Sequence, residues 1–101
     1  MAQTPEHKVK QHVSAILRAH GAYFFFPATY GFGRAGIPDI IVCHRGRFLA
    51  IECKAGKGTT TKLQERELER IRSANGVALV VNEHNIDDVH RALKEIENGD
   101  A

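Results

Sequence analysis

The stretch Gly36-Ile37-Pro38-Asp39-Ile40-Ile41-Val42-Cys43, with its neighbour Phe48-Leu49-Ala50-Ile51-Glu52-Cys53-Lys54, decides the fold of this chain. Both pieces are apolar, β-branched runs bounded by Gly, Pro and charge, and both read as strands. His44-Arg45-Gly46-Arg47 between them is short enough for a hairpin. A register that pairs Cys43 with Phe48 sets Ile41 opposite Ala50 and Asp39 opposite Glu52. Opposed residues project from the same face, about 5 Å apart at Cβ. Lys54, two residues beyond Glu52, shares that face. A slip of one residue would turn Asp39 to the other face.

Two carboxylates set opposite each other repel, and apolar surroundings raise the cost. A bound divalent cation removes the repulsion and gives the pair a purpose. The plainer reading of the same spacing is a Glu52–Lys54 or Asp39–Lys54 ion pair on a solvated sheet edge.

Around this hairpin, 101 residues suit one domain, 1–101, and a hydrophobic content of 43% allows a small but real core. No apolar run approaches the roughly 20 residues needed to cross a bilayer. The polar start Met1-Ala2-Gln3-Thr4-Pro5-Glu6 has no apolar signal core, so a cytoplasmic protein is expected. Cys43 and Cys53 fall on opposite faces in the register above, which argues against a disulfide. They form no zinc signature. Net charge is +2, yet residues 1–60 hold eight Lys/Arg against three Asp/Glu, and residues 61–101 hold six against nine. The basic half contains the hairpin, which suits a polyanionic partner.

Working outward, Thr4-Pro5-Glu6 reads as a helix start. Val9, Val13, Ile16 and Leu17 carry that helix to about His20, where Gly21 stops it. Glu6 is either a helix-dipole partner or a third acid near the metal. Ala22 to Phe26 reads as the first strand, its aromatic run belonging to the core or to a subunit interface. Ala28 to Gly36 is a glycine-rich loop. Arg34, its only charged residue, is either a plain surface group or a contact to a phosphate backbone.

After Lys54, Ala55 to Thr61 is a polar connection that includes Lys57 and lacks P-loop spacing. A helix is expected from about Thr61 to Ala74, with Leu63, Leu68 and Ile71 inward. Glu65, Arg66, Glu67, Glu69, Arg70 and Arg72 make its solvated face. Val77 to Val81 reads as a strand covered on both faces. Ile86, Val89, Leu93 and Ile96 mark a last helix. Six histidines, at 7, 12, 20, 44, 84 and 90, form no metal-ligand spacing and read as surface or internally satisfied groups. The expected architecture is α/β: a four-stranded mixed sheet flanked by helices, in the order αβββαβα.

With the order in place, Pro38-Asp39 followed by Glu52-Cys53-Lys54 on the next strand resembles the PD-(D/E)XK nuclease superfamily, whose core is restriction-endonuclease-like. Gly36-Ile37-Pro38-Asp39-Ile40-Ile41, Ile51-Glu52-Cys53-Lys54 and the downstream Gln64 resemble the VRR-NUC family, whose small stand-alone members are typical of phages and prophages. The likeness spans roughly Glu6 to Val81. It implies that Asp39, Glu52 and the backbone carbonyl of Cys53 bind Mg²⁺, with Mn²⁺ able to substitute, and that Glu6 approaches the same metal. It implies that Lys54 activates or orients the attacking water, and that Gln64 supports Lys54 or the phosphate. Arg34 and Lys57 would contact DNA.

The activity implied is Mg²⁺-dependent endonucleolytic hydrolysis of DNA. A chain of this length is expected to carry no appended DNA-reading domain, so recognition by shape and backbone charge rather than base sequence is expected. Small relatives resemble Holliday-junction resolvases, which act as homodimers, so branched DNA and a second copy of the chain are the expected partners, with no membrane and no small-molecule cofactor. The expected setting is the cytoplasm of a bacterial or phage-infected cell. The competing readings are a catalytically silent DNA-binding or assembly module of the same fold, and a flap- or RNA-cutting nuclease.

Overall fold

The computed structural model describes residues 3–28 and 34–100. Seven elements follow one another: α1 (Pro5–Ala19), β1 (Tyr23–Phe25), β2 (Ile40–His44), β3 (Arg47–Cys53), α2 (Lys62–Ser73), β4 (Val77–Val81) and α3 (Asp87–Glu97). The sheet runs β1-β2-β3-β4, antiparallel at the first two junctions and parallel at β3–β4. The expected αβββαβα order and mixed sheet are therefore what the chain forms.

The hairpin register agrees with the alternation of the sequence: Cys43 pairs with Phe48, and Ile41 with Ala50. The turn is only Arg45-Gly46, with φ of 52° and 80°. Positive φ at both central residues makes a two-residue turn whose twist matches the flanking strands. One face of β2 and β3 carries Ile40, Val42, Leu49, Ile51 and Cys53. These pack with Val9, Val13 and Leu17 of α1 and Val89, Leu93 and Ile96 of α3 into the main core. The opposite face carries Phe48, Ala50 and Glu52, and α2 lies along it beside β4.

Local signals explain the helix ends. Thr4 Oγ1 accepts the His7 N–H at 3.1 Å, with Pro5 opening α1. Thr61 and Gln64 close a reciprocal capping box at the start of α2.

Several expectations need correction. The strand does not begin at Gly36: the ladder starts with Ile40↔Ile51, and Asp39 lies in the bend before it. β1 is three residues, and only Phe24 packs against the core, while Tyr23, Phe25 and Phe26 are 69%, 45% and 46% exposed. Leu63 is exposed rather than inward, and Glu67, placed on the solvated face, is buried. β4 is an edge strand with Val77, Leu79 and Val80 only half-buried, so its cover is incomplete. The glycine-rich loop falls largely on residues 29–33, outside the described residues. Cys43 is exposed and Cys53 buried, both as free thiols. Among the described residues no helix is long and apolar enough to cross a membrane.

Candidate active site

Pro38 cannot donate to a ladder, and the antiparallel pairing of β2 and β3 stops just after it. Asp39 Oδ2 takes over the bond the ladder would have made, accepting the Cys53 N–H at 2.8 Å. The next amide, Lys54 N–H, turns the other way and donates to Val81 O at 2.9 Å. β3 is thus held between a side-chain carboxylate on one flank and β4 on the other, at the point where Glu52 and Lys54 project.

Glu52 is 3% exposed. Its Oε2 receives Lys54 Nζ at 3.3 Å and Gln64 Nε2 at 3.0 Å. Its Oε1 is buried and has no hydrogen-bond partner among the described residues. Burial, and then the charge of Asp39, push the Glu52 carboxyl up to about 7, with Lys54 pulling against them. Burial and the same Asp39 charge push the Cys53 thiol up to about 12, so that side chain stays a neutral core group. An orphaned buried carboxylate oxygen beside a second carboxylate is a costly arrangement for a metal-free protein. It is the donor set a hard divalent cation takes: carboxylate and carbonyl oxygens with room for water. The carboxylates of Glu52 and Asp39 therefore have the chemistry to take such an ion.

Gln64 reaches Glu52 rather than Lys54. Its Oε1 also accepts Thr61 N–H at 2.9 Å, so one side chain caps α2 and braces the carboxylate. Gly36 brings the two segments together. At φ +83°, a Cβ there would lie 2.5 Å from Leu63 O and 2.8 Å from Gln64 N, so only glycine lets the turn before Asp39 rest on the first turn of α2.

Sequence reasoning missed Lys10. Its Nζ stands 3.4 Å from Asp39 Oδ1 and 3.8 Å from Glu6 Oε2. Glu6 thus reaches the cluster through a lysine one turn further along α1, a pairing that its i,i+4 spacing could have signalled. Arg34 is not free: its Nε and Nη2 lie 3.3 Å and 3.2 Å from Glu67 Oε1. Lys57 is exposed on the connection after Lys54. A cleft of about 300 Å³ lined by Lys10, Phe26, Arg34, Gly36 and Asp39 opens beside the cluster.

Comparison with known proteins gives this geometry a family. Residues 7–89 match the family model of the archaeal Holliday junction resolvase, Hjc. The chain belongs to the Hjc family. A solved structure described as a VRR_NUC domain is similar at a TM-score of 0.70 and 26% identity, over 94% of this chain and 97% of that one. No curated protein matches the chain. The resemblance carried by Pro38-Asp39 and Glu52-Cys53-Lys54 is thereby borne out at the level of the VRR-NUC/PD-(D/E)XK-like nucleases, and membership in the Hjc family makes this chain a nuclease.

Proposed function

We propose that the chain is a divalent-metal-dependent endonuclease that cuts branched DNA, four-way junctions above all, as a homodimer. The observation that carries this reading is the Glu52 carboxylate, buried, braced by Gln64 and Lys54, and left with one unpartnered oxygen beside Asp39. Asp39, Glu52 and the Cys53 carbonyl would hold Mg²⁺, with Glu6 at the margin. Bound there, the ion would supply an acidified water and charge neutralisation at the phosphoryl oxygens.

The chain's own residues do the rest. Asp39, tied to Cys53 N–H, keeps one oxygen fixed on β3 and offers the other outward. Gln64 holds the Glu52 carboxylate in one orientation. Lys54, largely buried with its ammonium on Glu52, is placed to orient the attacking water and to offset charge as it builds on the phosphate. Lys10 stands on the outer side of Asp39, where it balances the acids before substrate arrives and meets a phosphate afterwards. Lys57 and the other cations of the basic half supply backbone attraction of the kind that scales with salt. Arg34 joins them only by leaving Glu67.

Resolving a four-way junction takes two cuts, and a two-fold pair of identical sites provides them. Tyr23, Phe25 and Phe48 support a paired form: they lie on the α2 side of the sheet, Phe48 bordering Ile71 of that helix, and are 69%, 45% and 44% exposed.

The test is cleavage of a labelled panel of four-way junction, flap, linear duplex, single-stranded DNA and RNA, with Mg²⁺, Mn²⁺ or EDTA, beside Asp39→Ala and Lys54→Ala. Paired symmetrical cuts in the junction, absent in both variants and in EDTA, are expected. Flap or RNA cutting would replace the substrate. DNA binding with no cutting under any metal would leave a silent module of the same fold.

A further inference from the structure

At the opposite end of the hairpin from Asp39, three elements bring polar groups to one point. His44 closes β2, His20 caps the end of α1, and Glu97 ends α3. Their spacing in the chain hides this, since 24 and 53 residues separate the three. His44 is 3% exposed, on the core-facing side of the sheet, a position where an unpartnered imidazole would be costly. His44 Nε2 lies 2.8 Å and His20 Nδ1 2.6 Å from the same atom, Glu97 Oε2. The other nitrogen of His20, Nε2, lies 2.9 Å from His90 Nδ1. The donor atoms of His20, His44 and Glu97 all lie within 4.8 Å of one another.

We propose that His20, His44 and Glu97 form a metal site, separate from the Asp39–Glu52 cluster, that takes a borderline divalent cation of the Zn²⁺ class. Two imidazoles and one carboxylate are the donors such a cation selects, whereas Mg²⁺ wants oxygen alone. Ligands about 2.0–2.1 Å from Zn²⁺ in a tetrahedron stand roughly 3.3 Å apart. The two imidazole–carboxylate distances, 2.6 Å and 2.8 Å, therefore need to open by only about 0.5–0.7 Å to admit the ion. Glu97 is partly exposed, which leaves a route for the cation, and water would supply the fourth ligand.

His90 plays the supporting part that metal-bound imidazoles require. With His20 bound through Nδ1, its proton sits on Nε2 and is donated to His90 Nδ1, which fixes both tautomer and ring orientation. Five residues of β2 separate this site from Asp39, on the order of 17 Å, so the ion is structural. It clamps the end of α1, the hairpin and the end of α3 together. That also settles the angle of α1, the helix that carries Lys10 and Glu6 to the nuclease cluster.

The test uses the full chain carrying Asp39→Asn, which weakens the other cluster, after stripping with EDTA. Calorimetric titration with Zn²⁺ is expected to show one saturable site per chain. Zn²⁺ at about a hundred times Kd should raise Tm by on the order of 10 °C. Adding Glu97→Gln, close in shape and still an acceptor, should weaken binding at least about tenfold. His90→Ala should weaken it by about 10–100-fold with the stoichiometry kept. If Glu97→Gln fails to fold, two measurements on the Asp39→Asn chain decide: the visible spectrum with Co²⁺, expected to be tetrahedral, and the imidazole ¹⁵N shifts with Zn²⁺, expected to move at His20 and His44. No saturable uptake, uptake indifferent to Glu97→Gln, or shifts confined to His7, His12 and His84 would each overturn the site and leave a hydrogen-bonded cluster only.

Discussion

Gln64 Nε2 donates to Glu52 Oε2 at 3.0 Å while Gln64 Oε1 accepts the Thr61 N–H at 2.9 Å. The capping box of α2 and the orientation of the buried acid therefore depend on the same side chain. Gln64→Ala removes both. It should cost about 1 kcal/mol of stability through the lost cap and lower single-turnover junction cleavage by on the order of 10–100-fold, with DNA affinity little changed. Gln64→Glu separates the roles: it keeps the box but sets a third carboxylate against Glu52. Its stability in EDTA should fall as pH rises, and its cleavage should be at least as poor as that of Gln64→Ala. Equal cleavage by Gln64→Glu and the parent chain would show that the brace is not used.

The second prediction concerns pH. Burial and Asp39 push the Glu52 carboxyl up to about 7, against about 4.3 in an unfolded chain. The folded state then holds the extra proton between those values, so stability falls as pH rises through that window. Without metal, the parent chain should lose stability relative to Glu52→Gln between pH 5 and pH 8, by at most about 3 kcal/mol. Urea unfolding in EDTA at both pH values measures it. Mg²⁺ at pH 8 should restore the parent and not the variant. An equal difference at both pH values would mean that Glu52 titrates normally and that its site is wetter than its burial implies.

Gly36 and Gly46 make a matched pair. Both have positive φ, +83° and +80°, but a Cβ on Gly36 meets Leu63 and Gln64 backbone within 3 Å, whereas one on Gly46 meets nothing within 4 Å. Gly46→Ala should cost only the left-handed backbone penalty, about 1–2 kcal/mol, and leave cleavage intact. Gly36→Ala should cost more and also reduce cleavage, because the start of α2 must shift and carry Gln64 away from Glu52. Thermal unfolding and cleavage rates, measured side by side, separate backbone strain from displacement of the site.

These residues also show what a sequence can and cannot disclose here. Hairpin register was legible because alternation has a period of two and the turn is pinned by glycine. That register alone set Asp39 beside Glu52, and Lys54 followed from parity. The end of the ladder was not legible: Pro38 ends the pairing, and Asp39 completes it with a side chain where a strand residue would use its backbone. Leu63 and Glu67 were misassigned because helical periodicity gives a face but not its limits. α2 lies across a narrow strip of sheet, leaving Leu63 at the margin, while Arg34 and Arg70 offset the charge of a buried Glu67. Lys10 was visible as an i,i+4 partner of Glu6, yet its reach to Asp39 depends on how α1 crosses the sheet end. The meeting of His20, His44 and Glu97 is wholly tertiary, and no local pattern encodes it.

The last prediction concerns pairing. Tyr23 stands opposite Cys43, which stands opposite Phe48, so the register lines these residues up across β1, β2 and β3 on one face. Phe25 lies on that face as well, opposite Ile41. Phe48 borders Arg70 and Ile71 of α2 across a cleft yet stays 44% exposed, and an exposed apolar strip is the usual mark of an interface. Tyr23 is the most exposed of the set at 69%, so Tyr23→Glu should change the stability of the fold by no more than about 0.5 kcal/mol. It should nevertheless repel its own copy across a two-fold axis, where each substituted residue faces the same surface. Light scattering should then give a monomer where the parent gives a dimer, and junctions should be nicked on one strand rather than cut in pairs. A parent chain already monomeric at working concentration, or a variant that still dimerises and still cuts in pairs, would show that this face is not the interface. The metal-site chemistry of each single cut would be untouched.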